Sequence, residues 1–394
     1  MDKKNKNPNV PNLRFNQFNS EWERKSIGDL INEVKEYTSS FEKYPLYSFT
    51  IESGVTPKTE RYERNFLVKK DGDLFKVVHP NNFVMNPMNL RFGAINYSKQ
   101  TIDVSVSGYY DIFEIDNSNY NDFWNAYFKA PQTINTYNSI ATGSLVEKKR
   151  VHFSQLKSLK FYLPSNDEKE KINSFIKLLD DRISVQIKII NDYKMLKKSI
   201  VERIISTTDI SWNRYSFKDI FRERKEFHVK DGTIIHATLS KEGIYPKTDR
   251  YDRDFLVKDE DKKYKVSYLN DICYNPANLK FGVITRNDYG KCIVPPIYVT
   301  YMVNPGFNPK FIELFVTRTA FLKEIRRYEQ GTVYERMAVS SDDFLTFETK
   351  LPNVEVQNDI VDNIDMLDKK ITQEQEYLEL LDKQKDYLLS NMFI

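Results

Sequence analysis

Two phrases in this sequence combine cations, hydroxyls and an aromatic ring in a way that suits contact with nucleic acid. The first is Lys58-Thr59-Glu60-Arg61-Tyr62-Glu63-Arg64, and Lys247-Thr248-Asp249-Arg250-Tyr251-Asp252-Arg253 repeats it. Arginine can fork onto a guanine edge, and lysine or threonine can hold a phosphate. Glu60 and Asp249 weaken the phosphate character but could accept from a cytosine amino group. The bland reading of both phrases is a charged, solvated turn. A second candidate pair is Asn89-Leu90-Arg91 with Asn278-Leu279-Lys280. A third is Thr142-Gly143-Ser144 with Lys148, Lys149 and Arg150, set against Gln330-Gly331-Thr332 with Arg336. A glycine–hydroxyl turn beside cations suits a phosphate, or is simply a surface turn.

Residues for catalysis are harder to find. Asn86-Pro87-Met88-Asn89 and Asn275-Pro276-Ala277-Asn278 are faint echoes of the Asn-Pro-Pro-aromatic signature of adenine methyltransferases. The second proline and the aromatic are missing, and no glycine-rich cofactor loop precedes either copy. A turn before a buried strand fits better, with Gly93 or Gly282 permitting a bulge or close packing. Asp167, Glu168 and Glu170 fall in the first turn of a helix, where carboxylates complement the dipole. His79, His152, His228 and His236 have no companion at catalytic or metal spacing. Cys273 and Cys292 are isolated, so neither a disulfide framework nor a four-ligand zinc site can be assembled. No P-loop exists. The pattern points to a binding or organising protein with no cofactor of its own.

The elements that must position these residues come in two copies. Trp22 to Leu30 returns as Trp212 to Ile220, 190 positions on. Gly54 to Val68 returns as Gly243 to Val257, and Asn86 to Ile95 as Asn275 to Ile284, both shifted by 189. Matches of that length mark a tandem duplication. Asn166 to Ser206 reads as one helix whose Ile172, Ile176, Leu179, Ile183, Ile190, Tyr193, Ile200 and Ile204 form a coiled-coil seam. Pro164, Ser165 and Glu168 give it a capping-box start. Shifted by 188, the seam becomes Ile360, Ile364, Leu367, Ile371, Leu378, Leu381, Leu388 and Met392. The polar breaks agree too, Gln186 with Glu374 and Lys197 with Lys385. A narrow apolar seam needs a partner, and the second copy supplies it.

The remainder is strand-rich. Leu46 to Phe49 and Tyr109 to Phe113 carry aromatic and β-branched residues between turn signals. Shorter helical stretches are expected at Tyr120 to Phe128 and Phe311 to Arg327. The expected class is α+β: two homologous strand-rich domains, two long antiparallel coiled-coil helices, and a pseudo-twofold internal repeat. The boundaries are a loose leader over 1–21, domains at 22–163 and 207–351, and helices at 164–206 and 352–394.

Bulk properties agree with a folded chain. The 394 residues include 14% aromatics and 29% charged residues, with a net charge of +3. The segment from Glu355 to the end holds ten acidic and four basic residues, a net −6, which leaves +9 elsewhere. The central helix carries +2, so helices of opposite net charge are plausible mates. No apolar run approaches the ~18 residues of a membrane span. The basic, polar start has no secretory core, which makes cytoplasm the expected location.

Taken together, these features resemble the DNA-specificity subunit of type I restriction–modification systems. Leu13-Arg14-Phe15 followed by Trp22-Glu23 is similar to that family's start. So is each domain's close on a glycine turn, then Leu163-Pro164-Ser165 or Leu351-Pro352-Asn353. The helix phrases Leu178 to Ile183 and Met366 to Ile371 complete the likeness, which runs from Leu13 to Ile394. The resemblance implies two target recognition domains reading a bipartite double-stranded DNA target. It implies helices that set the spacing and dock two methylation subunits, with restriction subunits in the full complex. Those partners, not this chain, would bind S-adenosylmethionine and ATP with magnesium. The two domains share unusually long phrases, so the half-sites are expected to form a partial interrupted palindrome. Ser98 to Gly108 against Asn287 to Pro296 is where they would be told apart. Deleting the heptad Ile183 to Ile189 is expected to shorten the gap or to abolish binding. The rival reading is a coiled-coil scaffold whose twin domains bind a protein or a glycan; an enzyme with an unrecognised site is a third.

Overall fold

The computed structural model describes residues 9–57, 74–144, 149–206, 212–241, 243–247, 263–330 and 338–394. They form two compact units, Met1–Ile187 with Glu376–Ile394, and Lys188–Gln375.

In the first unit, strand Glu23–Ser26 pairs antiparallel with Lys160–Leu163, so the domain's entry is clasped to its exit. A four-stranded sheet runs Ile31–Glu33, Asp111–Ile115, Phe83–Met85, Ile95–Tyr97. A three-stranded sheet runs Tyr37–Thr38, Phe75–Val78, Val104–Ser107, and a hairpin joins Tyr47–Thr50 to Gly54–Pro57. Strands alternate their side chains between faces. Phe83, Met85 and Phe113 therefore enter the large core against the helices, while Val84 and Ile112 enter a smaller core with Val78, Val104 and Val106. A strand buried on both faces reads as an unbroken apolar run, which is why Phe83–Met85 shows no polar alternation.

The second unit uses the same strand order. Asn213–Ser216 pairs with Glu348–Leu351, and the four-stranded sheet runs Phe221–Glu223, Val299–Val303, Ile272–Tyr274, Ile284–Arg286. Its three-stranded sheet runs Phe227–Val229, Lys263–Ser267, Cys292–Val294. Cys273 and Cys292 share the small core on the far side of the sheet. Burial pushes their thiols up to about 12 and about 11, which leaves them packing groups and not nucleophiles.

The long helices span Asn166–Ser206 and Val354–Met392. Within the first unit, Asp180 pairs with Lys385 at 2.5 Å, and Arg182 hydrogen-bonds the Tyr377 hydroxyl. As the number rises along one helix it falls along the other, so the two run antiparallel. In the second unit Lys197 pairs with Asp368, also at 2.5 Å. The lysines that interrupt the sequence pattern are thus neutralised, each by an aspartate of the opposite helix.

Several expectations need correction. Residues 13–15 are not loose: Leu13 N–H donates to the Asn391 carbonyl, and Phe15 stands edge-on to Phe175. Arg14 forks onto Glu168 with two 2.7 Å bonds. That fork also alters the expected capping box. Ser165 Oγ accepts from Glu168 N–H at 3.3 Å, but the buried Glu168 carboxylate answers Arg14 and not the helix start. Near its C-terminal end, Val201 and Ile205 are more deeply buried than Ile200 and Ile204. An α-helix turns every 3.6 residues, so a seam spaced at 3.5 drifts, and here it swings toward the domain core. The helix expected at Tyr120 to Phe128 is Asn121–Lys129, and a second helix, Pro131–Ile140, follows it. The stretch from Phe311 to Arg327 breaks into Pro309–Val316 and Thr319–Ile325.

Candidate nucleic-acid interface

Asn86 begins a turn by accepting from Met88 N–H through Oδ1 at 3.1 Å, and its own N–H reaches the Ala94 carbonyl. One 3-10 turn follows, Leu90–Phe92, closed by Gly93 at φ +83°. A side chain at Gly93 would be strained by that angle. Leu90 is buried, so its neighbours are forced outward. Asn89 is exposed, Phe92 is 61% exposed, and the Arg91 guanidinium lies 5.0 Å from the Phe92 ring centre.

The second unit repeats this. Asn275 Oδ1 accepts from Ala277 N–H at 3.1 Å, and Leu279–Phe281 is followed by Gly282 at φ +82°. Asn278 is exposed, Phe281 is 54% exposed, and Lys280 lies 5.4 Å from its ring centre. A large apolar ring held in water beneath a cation, twice, is not a packing solution. Phe92 and Phe281 join the candidates here; the shared Leu-(Arg/Lys)-Phe-Gly spelling was their signal in the sequence.

The third candidate pair sits against the second. Thr142 and Arg150 form a two-way backbone bridge, and Val151 N–H donates to the Pro87 carbonyl at 2.9 Å. In the other unit Gln330 bridges Ala338, and Val339 N–H donates to the Pro276 carbonyl at 3.3 Å. Each unit thereby places its Asn-Pro turn beside the base of its glycine-containing loop. Lys148, Gly331, Thr332 and Arg336 lie outside the described residues. So do Lys58, Thr59, Arg61, Tyr62, Arg64, Thr248, Arg250, Tyr251 and Arg253. Lys247 is described: it is half-buried after strand Ile244–Pro246, with its N–H on the His236 carbonyl at 2.8 Å.

His79 is held between Asp103 at 2.8 Å and Glu36 at 2.9 Å. Burial opposes its charge, but the two carboxylates outweigh that and hold its pKa above the usual imidazole value. Among the described residues no group of histidine, cysteine and carboxylate side chains is arranged to hold a metal ion. None of the helices there is long and apolar enough to cross a membrane.

No protein-family model and no curated protein matches the sequence. Solved structures do. One is a chain from work on complex assembly and conformational transition of the type I R-M system, with a TM-score of 0.56 and 10% identity. The match covers 94% of this chain and 97% of that one. The chain shares the fold of that structure. The S subunit of the type I restriction–modification system from M. genitalium also matches, at TM-score 0.48 and 12% identity over 98% of this chain and 99% of that one. The HsdS subunit from Thermoanaerobacter tengcongensis does so at 0.43 and 11%, over 94% and 96%. What this chain shares with the type I R-M chain is the path of the backbone; nine of ten side chains differ.

Proposed function

We propose that this chain is the DNA-specificity subunit of a type I restriction–modification complex. The observation that carries the reading is a common fold over nearly the whole of both chains with the type I R-M structure. The exposed cation–phenylalanine turn, present in each unit, supports it. Arg91 and Lys280 supply groups for guanine edges or phosphates, Asn89 and Asn278 suit adenine edges, and the rings suit a thymine methyl or a wedge between bases. On this reading the two units are copies, each a target recognition domain for one half of a bipartite double-stranded target. The two half-sites then share bases at inverted positions.

The long helices act as spacer and docking surface. Leu178 and Val185 on the central helix and Leu380 and Tyr387 on the C-terminal helix are exposed apolar residues at seven-residue spacing, away from the seam. Such a stripe suits helices of two methylation subunits, which carry S-adenosylmethionine and perform the chemistry. Restriction subunits with ATP and magnesium complete the complex in the cytoplasm, and this chain is non-catalytic.

The test is to express the chain with a methylation subunit, measure duplex-DNA mobility across a salt series, and map methylated sites genome-wide. A bipartite methylated motif with partial inverted symmetry is expected. Absence of any DNA shift sinks the specificity reading and returns a protein- or glycan-binding scaffold. Half-sites without a common inverted base sink the symmetry alone.

A further inference from the structure

The second unit contains a cavity of about 390 Å³ between helix Pro309–Val316, strand Ile284–Arg286 and the central helix. Its walls are strongly cationic. Lys310 is used by Asp365 and Asp368, Lys197 by Asp368, and Arg286 by Glu313. Glu202 accepts from Thr319 N–H. Lys194, Lys198 and Lys241 line the same cavity, are exposed, and have no partner among the described residues. Asp288 is the one acid there without such a partner.

Arg318 also lines this cavity and is 9% exposed. Its side chain makes one hydrogen bond, from Nε to the Phe315 carbonyl at 3.2 Å, and its guanidinium lies 4.4 Å from the Phe315 ring centre. A guanidinium has five N–H donors. Burying a charge without a paired carboxylate is costly. Burial is accordingly the main influence on its pKa, which it lowers.

The fold itself does not require an arginine here. The first unit makes the same helix–helix corner with Ala130, which precedes Pro131–Ile140 as Arg318 precedes Thr319–Ile325, at nearly the same backbone angles. The corresponding cavity there, about 400 Å³, has three lysines (Lys99, Lys129, Lys385) balanced by Glu52, Asp122 and Asp180. One copy is charge-balanced; the other sets a buried guanidinium and three unpaired lysines against two acids not paired with a cation, Asp288 and Glu202, around a space of ligand size.

We propose that the second unit's cavity is a phosphate-binding site, built around Arg318 and the lysines Lys194, Lys198 and Lys241, that takes a chain of two or three phosphates. A multiply charged anion supplies what the protein omits: a partner for the buried fork and a counter-charge for the lysines. The phosphates could belong to a free oligophosphate, including a nucleotide's, or to a DNA backbone. The inference stands apart from the specificity-subunit reading.

The experiment is calorimetric titration of the full chain with inorganic tripolyphosphate at fixed ionic strength, beside Arg318→Met and Lys241→Ser. Saturable one-site binding is expected, weakened about tenfold by Arg318→Met and several-fold by Lys241→Ser. A salt series of duplex-DNA gel shifts separates the sources. Backbone phosphate predicts a shallower salt slope for Arg318→Met; a free oligophosphate predicts an unchanged slope. If Arg318→Met does not fold, Arg318→Lys takes its place beside Lys241→Ser, and both are expected to bind more weakly. Absent tripolyphosphate binding, or equal affinity in wild type and variants, overturns the site whatever the DNA series gives.

Discussion

Removing one heptad from both long helices tests the spacer role most directly. Deleting Ile183–Ile189 alone would leave the partner helix seven residues too long. The Asp180–Lys385 pair fixes the register. Counting three residues on from Asp180 and three back from Lys385 sets Ile183 across from Asp382, so the matched deletion is Glu376–Asp382. Both ion pairs, Asp180–Lys385 and Lys197–Asp368, survive it. The seam loses Ile183, Gln186, Leu378 and Leu381 but keeps its phase. At ~1.5 Å per residue the rod shortens by about 10 Å, or roughly three base pairs at ~3.4 Å each. Three base pairs also rotate the duplex by roughly 100°, at about 10.5 per turn. The second half-site would then be at the right distance but turned away. Gel shifts on a ladder of duplexes differing only in gap length give the readout. The expected outcome is loss of binding to the original target, with weak binding recovered on the gap shortened by about three. Inserting three heptads into each helix, about 31 Å, adds roughly nine base pairs and nearly a full turn, so that variant should bind the longer gap well. Wild-type affinity for the unchanged gap in the deletion variant would refute the reasoning.

Arg91→Ala should weaken target binding by about 1–3 kcal/mol if it forks onto a base, with relaxed specificity at one position in the methylome; uniform weakening and a smaller salt slope would assign it to phosphate. Lys129→Met should stabilise the protein near neutral pH. Burial, then Lys385 and Lys99, lower the Lys129 pKa to about 8, so its charged form costs at most about 3 kcal/mol below pH 8. That cost fades as pH rises toward 10.5, and a gain equal at pH 7 and pH 10 in urea denaturation would contradict it. The His79 pKa is raised, so its contribution is fully present below about pH 6.5 and is lost as pH rises through its folded value. His79→Gln should flatten the pH dependence of the melting midpoint over that window; an unaltered profile would count against the carboxylate clamp. Arg14→Ala strands the buried Glu168 carboxylate and should cost about 3–5 kcal/mol, read by denaturation; a loss under 1 kcal/mol would show that water reaches Glu168.

What could be read from the sequence was what depends on neighbours along the chain. A heptad seam is a local pattern, so both long helices, their polar breaks and the duplicated phrases were legible in the sequence. The central helix runs over the expected Asn166–Ser206. The Asn-Pro-x-Asn phrase was legible as a turn because side-chain capping and a left-handed glycine act within a few residues. The candidate nucleic-acid surface was only partly legible. Charged residues announce themselves in sequence, but Phe92 and Phe281 look like core until burial of Leu90 and Leu279 turns them outward.

Tertiary structure alone decided the rest, because it brings together groups far apart in the chain. Arg14 meets Glu168 across 154 positions, and the stretch around it is thereby anchored. The four-stranded sheet separates two cores, a division that an apolar run cannot reveal since both its faces look alike. Lys197 and Lys385 were visible as breaks in the seam; that each is answered by an aspartate follows only from the antiparallel register. Arg318 carried no signal, being one more cation in a basic stretch, until folding buried it beside a cavity. The sequence by itself determined the repeat and the rods, through short-range periodicity. Which charges are matched by a partner and which are not was settled by long-range packing.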